Sequence, residues 1–270
     1  MDFTFGIITG GKHNYRETKT DEEVISRIYE IINTILIQNI PNYEIIIVGG
    51  KNKYEHFDLV THIPFDDEKG FITVKKNLIT QYSKYENIVF MHDYFSLGEK
   101  WYENMLLFDE PWDIMMNKII DINGDRFHDW VLHWDKHECL YSKQTETFLP
   151  YNINNLTKYQ YISGGYWIAK KHVMINHKLD ESIGWGQGED VRWSEKVLPM
   201  YNYKMNVNSI VKLIKPRFSN EWSLISEENL NTLLNSLKTL QPSKLGTFTT
   251  PSLNLSDKVK KTNTNGWIKE

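Results

Sequence analysis

Residues 43–50 read Tyr43-Glu-Ile-Ile-Ile-Val48-Gly49-Gly50, an apolar run of strand length that is closed by two glycines. A run of this kind, without polar alternation, predicts a parallel strand that is covered on both faces. Another β-rich segment precedes it at residues 3–9, and residues 21–38 between the two carry apolar side chains at helical spacing. Strand, helix and strand in this order predict a right-handed βαβ unit.

The following segments extend this unit into an open, mostly parallel α/β sheet flanked by helices. We predict a short strand around residues 59–61, a helix over 72–82 and an apolar strand over 87–91. In such sheets ligands bind outside the carboxyl ends of the strands. Here those ends carry Thr9-Gly10-Gly11, Gly49-Gly50 and His92-Asp93. Neither glycine pair has the spacing of a dinucleotide fingerprint and no Gly-Lys-Ser/Thr loop occurs, which disfavours a classical Rossmann dehydrogenase or a P-loop enzyme.

The second half of the chain has a different pattern. Residues 161–169 predict a strand with a close backbone approach at its glycines, and residues 189–197 predict a helix with two acids at its positive end. Residues 226–240 predict a short amphipathic helix, and the polar sequence from residue 241 predicts a loosely ordered tail.

Composition excludes several classes of protein. The net charge of -4 over 270 residues provides no basic field for nucleic acid or for an anionic membrane. Cys139 is the only cysteine, so the chain has no internal disulfide and no thiolate metal cluster. No signal peptide or transmembrane segment is evident, and we expect a soluble, cytoplasmic protein.

The most informative motif is Ile183-Gly-Trp185-Gly-Gln187-Gly-Glu189-Asp190-Val191. Its glycines would let a ligand approach the backbone, Trp185 offers a flat apolar face, and a carboxylate is placed to remove a proton. The structural alternatives are a helix N-cap for either acid and a packed core position for Trp185.

Taken together, these residues resemble glycosyltransferases of the GT-A fold, close to the inverting enzymes that use nucleotide-diphosphate sugars. The strand at 44–48, Lys76-Asn77 at a helix start and His92-Asp93-Tyr94 resemble the nucleotide-binding half. The turn Ser163-Gly164-Gly165 and the Gly-Trp-Gly…Glu-Asp element resemble the acceptor half of galactosyltransferases and N-acetylgalactosaminyltransferases. The likeness covers about residues 3–215. It implies one domain over 1–222, with a nucleotide-binding half at about 1–95 and an acceptor half at about 96–222, followed by a helix and tail at 223–270.

The resemblance also implies roles for individual residues. Asp190 would be the general base, and Glu189 would hydrogen-bond sugar hydroxyls, although Gln187 is an extra residue relative to the usual Gly-Trp-Gly-Gly-Glu-Asp spacing. Lys76 would meet the diphosphate, its alternative being the solvated face of a helix. The complete donor and sugar-contacting set is Thr9, Gly10, Gly11, Gly49, Lys76, Asn77, His92, Asp93, Gly164, Gly165 and Trp185.

Members of this family bind a divalent metal through a D-x-D motif after the central strand, where this chain has a single carboxylate, Asp93. With His92 as a second ligand the resemblance implies a metal site that prefers Mn²⁺ over Mg²⁺. The alternative is a metal-independent site in which Asp93 bonds sugar hydroxyls. His128, His133 and His137 match no usual zinc spacing, and a single ligand among them could complete the Asp93 site.

The implied activity is transfer of a sugar, with inversion, from a nucleotide-diphosphate donor to a hydroxyl of a glycan, lipid-linked or protein acceptor. Members of the family often have an acid that recognises the nucleotide base of the donor, and Gly49-Gly50 occupies that position here. The sequence therefore does not identify the nucleotide base. Two alternatives stay open: a nucleotidyltransferase, which would need a second metal-binding carboxylate, and a carbohydrate-binding pseudoenzyme, suggested by the many tryptophans and the missing second Asp.

Overall fold

The structure, a computed structural model, describes residues 1–10, 21–50, 59–65, 71–133, 146–153, 160–184, 187–216 and 224–239. The strands are β1 (Phe3–Ile8), β2 (Tyr43–Val48), β3 (Val60–Ile63), β4 (Asn87–His92), β5 (Phe95–Leu97), β6 (Ile114–Ile120), β7 (Val131–His133), β8 (Glu146–Phe148), β9 (Gln160–Tyr161), β10 (Tyr166–Lys170) and β11 (Tyr203–Leu213). The helices are α1 (Asp21–Leu36), α2 (Ile72–Tyr82), α3 (Trp101–Leu106), α4 (Lys171–Asn176), α5 (Glu189–Val197) and α6 (Glu227–Thr239).

The predicted α/β sheet is confirmed. Eight strands lie in the order β3-β2-β1-β4-β10-β6-β11-β5, and a separate three-stranded sheet has the order β8-β7-β9. Strands β3, β2, β1 and β4 are mutually parallel, so the carboxyl ends of β1, β2 and β4 meet at one edge. The predicted strand at Tyr43–Val48 and the predicted helix at Ile72–Tyr82 have the predicted bounds.

Strand β10 joins the two halves of the sheet. It runs antiparallel between β4 and β6, with Tyr166 opposite Met91. The beginning of β10 therefore lies beside the end of β4, where the His92 amide donates to the Gly165 carbonyl at 2.9 Å. The prediction of one strand over residues 161–169 is wrong, because Tyr161 belongs to the small sheet and the chain turns at residues 162–165 before it enters β10.

The described tryptophans form part of the hydrophobic core. Trp167 stacks on Phe90 of β4 with ring centroids 4.6 Å apart, and Trp193 of α5 lies 4.8 Å from Trp167. The others in the described residues, Trp101, Trp112 and Trp130, are also buried. The high tryptophan content of these residues thus reflects packing and gives no support to a carbohydrate-binding surface.

The C-terminal helix packs on the same core. Ile225 and Leu233 are buried in it, and the Ile225 amide donates to the Phe148 carbonyl at 3.0 Å. The domain boundary at residue 222 stays a prediction, and the predicted tail from residue 241 lies outside the described residues. Among the helices that the structure describes, none is both long and apolar enough to cross a membrane.

Candidate active site

Asp93 is held at the shared edge of β1 and β4. The sheet register pairs Ile8 with His92, so Thr9 follows beside Asp93. Thr9 Oγ1 donates to Asp93 Oδ2 at 3.1 Å, and Arg27 Nη2 of α1 lies 3.4 Å from the same oxygen. The Asp93 side chain is only 9% exposed, so a hydroxyl and a guanidinium compensate a largely buried carboxylate.

Arg27 was not among the sequence-predicted site residues, although the sequence carries a signal for it. It stands three residues after Val24 and four before Ile31, and therefore lies on the apolar stripe of α1. A basic residue on a buried helix face normally requires an acidic partner. Arg27 is thus the cation that α1 contributes to the strand edge.

The strand ends of β1 and β2 approach each other closely at Gly49. A Cβ on Gly49 would lie 1.8 Å from the Thr9 carbonyl oxygen, and its φ of +120° disfavours other residues. Lys75 Nζ of α2 donates to that same carbonyl at 2.8 Å. Gly49 therefore has a packing role on this side, while Gly10 is exposed and has a φ of 78°.

Helix α5 begins at Glu189, as predicted, and its N-cap is Gly188 in the left-handed conformation with φ of 71°. Neither Glu189 nor Asp190 is the N-cap residue, so the simplest structural alternative for the two acids does not hold. The side chains of both acids instead lie near the turn that precedes β10.

Two residues one helical turn apart clamp α5 to that turn. Asp190 Oδ2 accepts the Gly164 amide at 3.0 Å, and Ser194 Oγ accepts the Ile162 amide at 3.0 Å. Asp190 Oδ1 also accepts the Val191 amide at 2.9 Å. Sequence reasoning missed Ser194, whose only signal was its i, i+4 spacing from Asp190.

The glycines of the turn are needed for close packing. A Cβ on Gly164 would lie 2.6 Å from Asp190 Oδ2 and 3.3 Å from Glu189 Oε1. A Cβ on Gly165 would lie 2.9 Å from the Tyr94 hydroxyl. The absence of a side chain at Gly164 thus lets the carboxylates of Glu189 and Asp190 contact the backbone. Its absence at Gly165 lets Tyr94 pack at the start of β10.

Helix α2 holds the segment that leads into the glycine-rich motif. Asn77 Nδ2 donates to the Leu179 carbonyl and to Glu181 Oε1, both at 2.9 Å, and Asn77 Oδ1 accepts the Leu179 amide at 3.1 Å. Thr73 Oγ1 donates to the Ile183 carbonyl at 3.3 Å. Asn77, predicted to contact the donor, is in this structure a residue that fixes the loop.

Gln187, the extra residue of the motif, closes a turn. Its Oε1 accepts the Gly184 amide at 2.9 Å, and its own amide donates to the Gly184 carbonyl at 3.3 Å. The extra residue therefore lies before α5 begins, and both acids lie on the helix. Trp185 and Gly11, two of the predicted site residues, lie outside the described residues.

His92 and Asp93 do not form a pair that fits one metal ion. Asp93 lies in the turn after β4 and contacts Thr9 and Arg27, whereas the His92 ring lies edge-on to Tyr94, with 5.4 Å between ring centroids. The described part of the chain contains no group of three or more His, Cys, Asp or Glu able to hold a metal. The joint His92 and Asp93 metal site stays a prediction that this geometry does not support.

His128 lies behind the turn that contacts Asp190. Its Nδ1 is 3.2 Å from Ser163 Oγ and its Nε2 is 2.8 Å from the Tyr161 hydroxyl. This places His128 beside Ser163, in the turn that enters β10. His137 and the side chain of His133 lie outside the described residues.

A buried ion pair supports the segment that carries His128. Arg126 Nε donates to Asp129 Oδ1 at 2.8 Å, and the Tyr151 hydroxyl donates to Asp129 Oδ2 at 2.7 Å. Burial raises the pKa of Asp129, and the Arg126 guanidinium opposes that rise. The Arg126 guanidinium also lies 4.0 Å from the centre of the Tyr151 ring, which ties the segment after β6 to the segment after β8.

The chain was compared with protein-family models, with curated proteins and with solved structures. No protein-family model and no curated protein matches the sequence. Among solved structures, TarS 1-349 from S. aureus is 13% identical, with 88% of this chain and 64% of that chain covered and a TM-score of 0.48. The same TarS fragment in complex with UDP-GlcNAc is 11% identical, with 86% of this chain and 61% of that chain covered and a TM-score of 0.47. GalNAc-T7 with UDP, GalNAc and Mn²⁺ is 12% identical, with 88% and 48% covered and a TM-score of 0.52.

The chain has a GT-A-like glycosyltransferase fold, as its sequence motifs predicted. It spans less than two thirds of the length of the structures it matches.

Proposed function

We propose that this chain is a glycosyltransferase that moves a sugar, with inversion, from a nucleoside-diphosphate donor to an acceptor hydroxyl. The observation that carries the proposal is the convergence of two acidic groups on one sheet edge. Asp93 directly follows β4, while Asp190 is bonded to the turn that enters β10 beside it. Donor and acceptor sides of a transfer site would meet at this edge, where ligands of open α/β sheets bind.

In the proposed reaction Asp190 is the general base. The acceptor oxygen forms a bond to the anomeric carbon, its proton passes to the Asp190 carboxylate, and the bond between that carbon and the diphosphate oxygen breaks. The bonding electron pair leaves with the nucleoside diphosphate. Attack opposite the leaving group inverts the anomeric configuration.

Asp190 suits this role because its position is fixed on three sides. The Gly164 amide, the Val191 amide and the packing of Trp193 on Trp167 together hold α5 and its second residue. A general base that is already held in its reactive geometry does not lose conformational entropy during the reaction. Asp190 is also more exposed than Glu189, which is buried.

The donor would lie over the ends of β1 and β4. There Thr9 orients Asp93, and Arg27 supplies positive charge next to the site of the departing diphosphate. A fixed cation at that place stabilises charge that develops on the leaving group. No step is assigned to a metal, because His92 and Asp93 do not converge.

Uridine-diphosphate sugars are the first donors to test, because the structure of GalNAc-T7 that shares this fold contains UDP. The purified chain would be incubated with a panel of UDP-sugars and simple glycoside acceptors, and the nucleotides and glycosides separated. We expect UDP and a glycoside whose anomeric configuration, read by NMR, is opposite to that of the donor. Release of pyrophosphate would instead indicate a nucleotidyltransferase, and sugar binding without any product would indicate a carbohydrate-binding protein.

A further inference from the structure

Three consecutive residues of α2 reach three different parts of the site. Lys75 Nζ donates to the Thr9 carbonyl, Lys76 Nζ lies 3.6 Å from Glu189 Oε1, and Asn77 bonds the segment at Leu179. Lysines are almost never fully buried unless they are paired. Both lysines are buried here, with 1% of Lys75 and 0% of Lys76 exposed.

The two lysines differ in how their ammonium groups are compensated. Lys75 donates a hydrogen bond at 2.8 Å, whereas Lys76 Nζ has no hydrogen-bond partner among the described residues and has Glu189 as its ion-pair partner. Glu189 is itself only 9% exposed in its side chain. Burying the Lys76 ammonium or the Glu189 carboxylate alone would be costly, so each group makes the burial of the other possible.

This pairing separates the roles of the two neighbouring acids. Both carboxylates lie against the same glycine, since a Cβ on Gly164 would be 2.6 Å from Asp190 Oδ2 and 3.3 Å from Glu189 Oε1. The Lys76 ammonium compensates Glu189 from the interior, and the Gly164 amide holds Asp190 on the other side. Lys76 therefore fixes Glu189 beside the same turn to which Asp190 is bonded.

We infer that Lys76 is a positioning residue that acts through Glu189: it holds that carboxylate beside the Gly164 turn and so fixes the first turn of α5, where the proposed base Asp190 lies. This inference rests on the proposed transferase function. It replaces the sequence-based expectation that Lys76 meets the diphosphate, since a fully buried ammonium behind Glu189 does not reach a ligand in the open edge.

The two roles of Lys76 predict different kinetics. Loss of a diphosphate ligand would weaken donor binding, and the Kd for UDP would rise. Loss of a positioning residue would lower kcat by about 100-fold, the scale of a misplaced base, and leave the Kd for UDP unchanged. Lys84→Met, an exposed lysine just after α2, is the matched control and should change neither quantity.

The test compares Lys76→Met, Glu189→Gln and the double variant Lys76→Met/Glu189→Gln. Thermal unfolding of the full chain measures the pair without any substrate. Each single variant should lower Tm by several degrees, because it leaves one buried charge uncompensated, and the double variant should lower it by less than the sum. The double variant should also regain most of the kcat that Lys76→Met loses.

Additive losses of Tm in the double variant, or a raised Kd for UDP in Lys76→Met with kcat intact, would overturn the inference. If the unfolding measurements show coupling and wild-type protein transfers no sugar from any donor in the panel, the pair is real and the proposed function fails. If wild-type protein transfers sugar and the losses of Tm are additive, the function stands and the role of Lys76 fails.

Discussion

The Gly164 amide donates to Asp190 Oδ2 at 3.0 Å, and through this bond the turn before β10 sets the position of the first turn of α5. The two residues are 26 positions apart in sequence. Because β10 also pairs with β4, the same turn connects Asp190 to the strand that Asp93 directly follows.

Gly164→Ala should impair transfer more than folding. A Cβ there would lie 2.6 Å from Asp190 Oδ2 and push the carboxylate away, and a displacement on the order of 1 Å can cost about 100-fold in kcat. The carboxylate end can move, so we expect a destabilisation of only about 1–2 kcal/mol in urea unfolding. Gly124→Ala is the control for a loss of stability alone, since its φ of +88° disfavours alanine while nothing lies within 4 Å of the added Cβ. Equal kcat in the two variants would contradict the proposed importance of the Gly164 contact.

His92→Ala should leave the response of donor binding to Mn²⁺ unchanged. The His92 ring lies against Tyr94, whereas the Asp93 carboxylate faces Thr9 and Arg27. The Kd for UDP would be measured with Mn²⁺ and with EDTA in wild-type protein, in His92→Ala and in the exposed control His172→Ala. If Mn²⁺ changes the Kd for UDP in wild-type protein and in His172→Ala but not in His92→Ala, the sequence-based prediction of a metal site at His92 would be supported instead.

Asp129→Asn should destabilise the protein by about 3 kcal/mol, because it leaves the Arg126 guanidinium uncompensated in a buried network. The measurement is the midpoint of urea unfolding at constant m-value. Asp125→Asn, four residues earlier and exposed, should change the stability by no more than about 0.5 kcal/mol. A loss for Asp129→Asn as small as that of the control would show that the ion pair contributes little.

Stability should fall as pH rises above about 10, the ordinary pKa of a tyrosine. Burial raises the pKa of Tyr166 and of Tyr203, so the folded state keeps these protons after the unfolded state has released them. Each such group lowers the free energy of unfolding by about 1.4 kcal/mol per pH unit in that range, and its contribution is fully present below pH 10. Urea unfolding at pH 9 and at pH 11 measures this loss. Tyr203→Phe should show a smaller loss between the two values than wild-type protein, and an identical loss would contradict the assignment.

The first half of the fold could be predicted because each of its elements carries a local signal. The apolar run at residues 43–48 and the helical spacing at 72–82 reflect burial within a single element. Strand β11 was missed because its burial alternates irregularly around a register shift between Asn206 and Ile210. The break between β9 and β10 was missed because the apolar pattern continues across a change of sheet.

The candidate site was predictable in its residue types and less so in their roles. Asp190 and Glu189 were identified from their glycine-rich setting, and α5 begins at Glu189. The roles proposed for them depend on contacts with Lys76 and Gly164, which lie far away in sequence, so no local pattern predicts these roles. Arg27 had a local signal, a basic residue on an apolar stripe, but its partner Asp93 is 66 residues away.

The most direct test of Asp190 as the base is the transfer rate of Asp190→Asn, with the Kd for UDP measured on the same sample. We predict that kcat falls at least about 100-fold while the Kd for UDP is unchanged, because the amide has the same shape and cannot take the proton. Asp180→Asn, an exposed acid ten residues earlier, should transfer at the wild-type rate. Transfer by Asp190→Asn at the wild-type rate would contradict the assignment of Asp190 as the base.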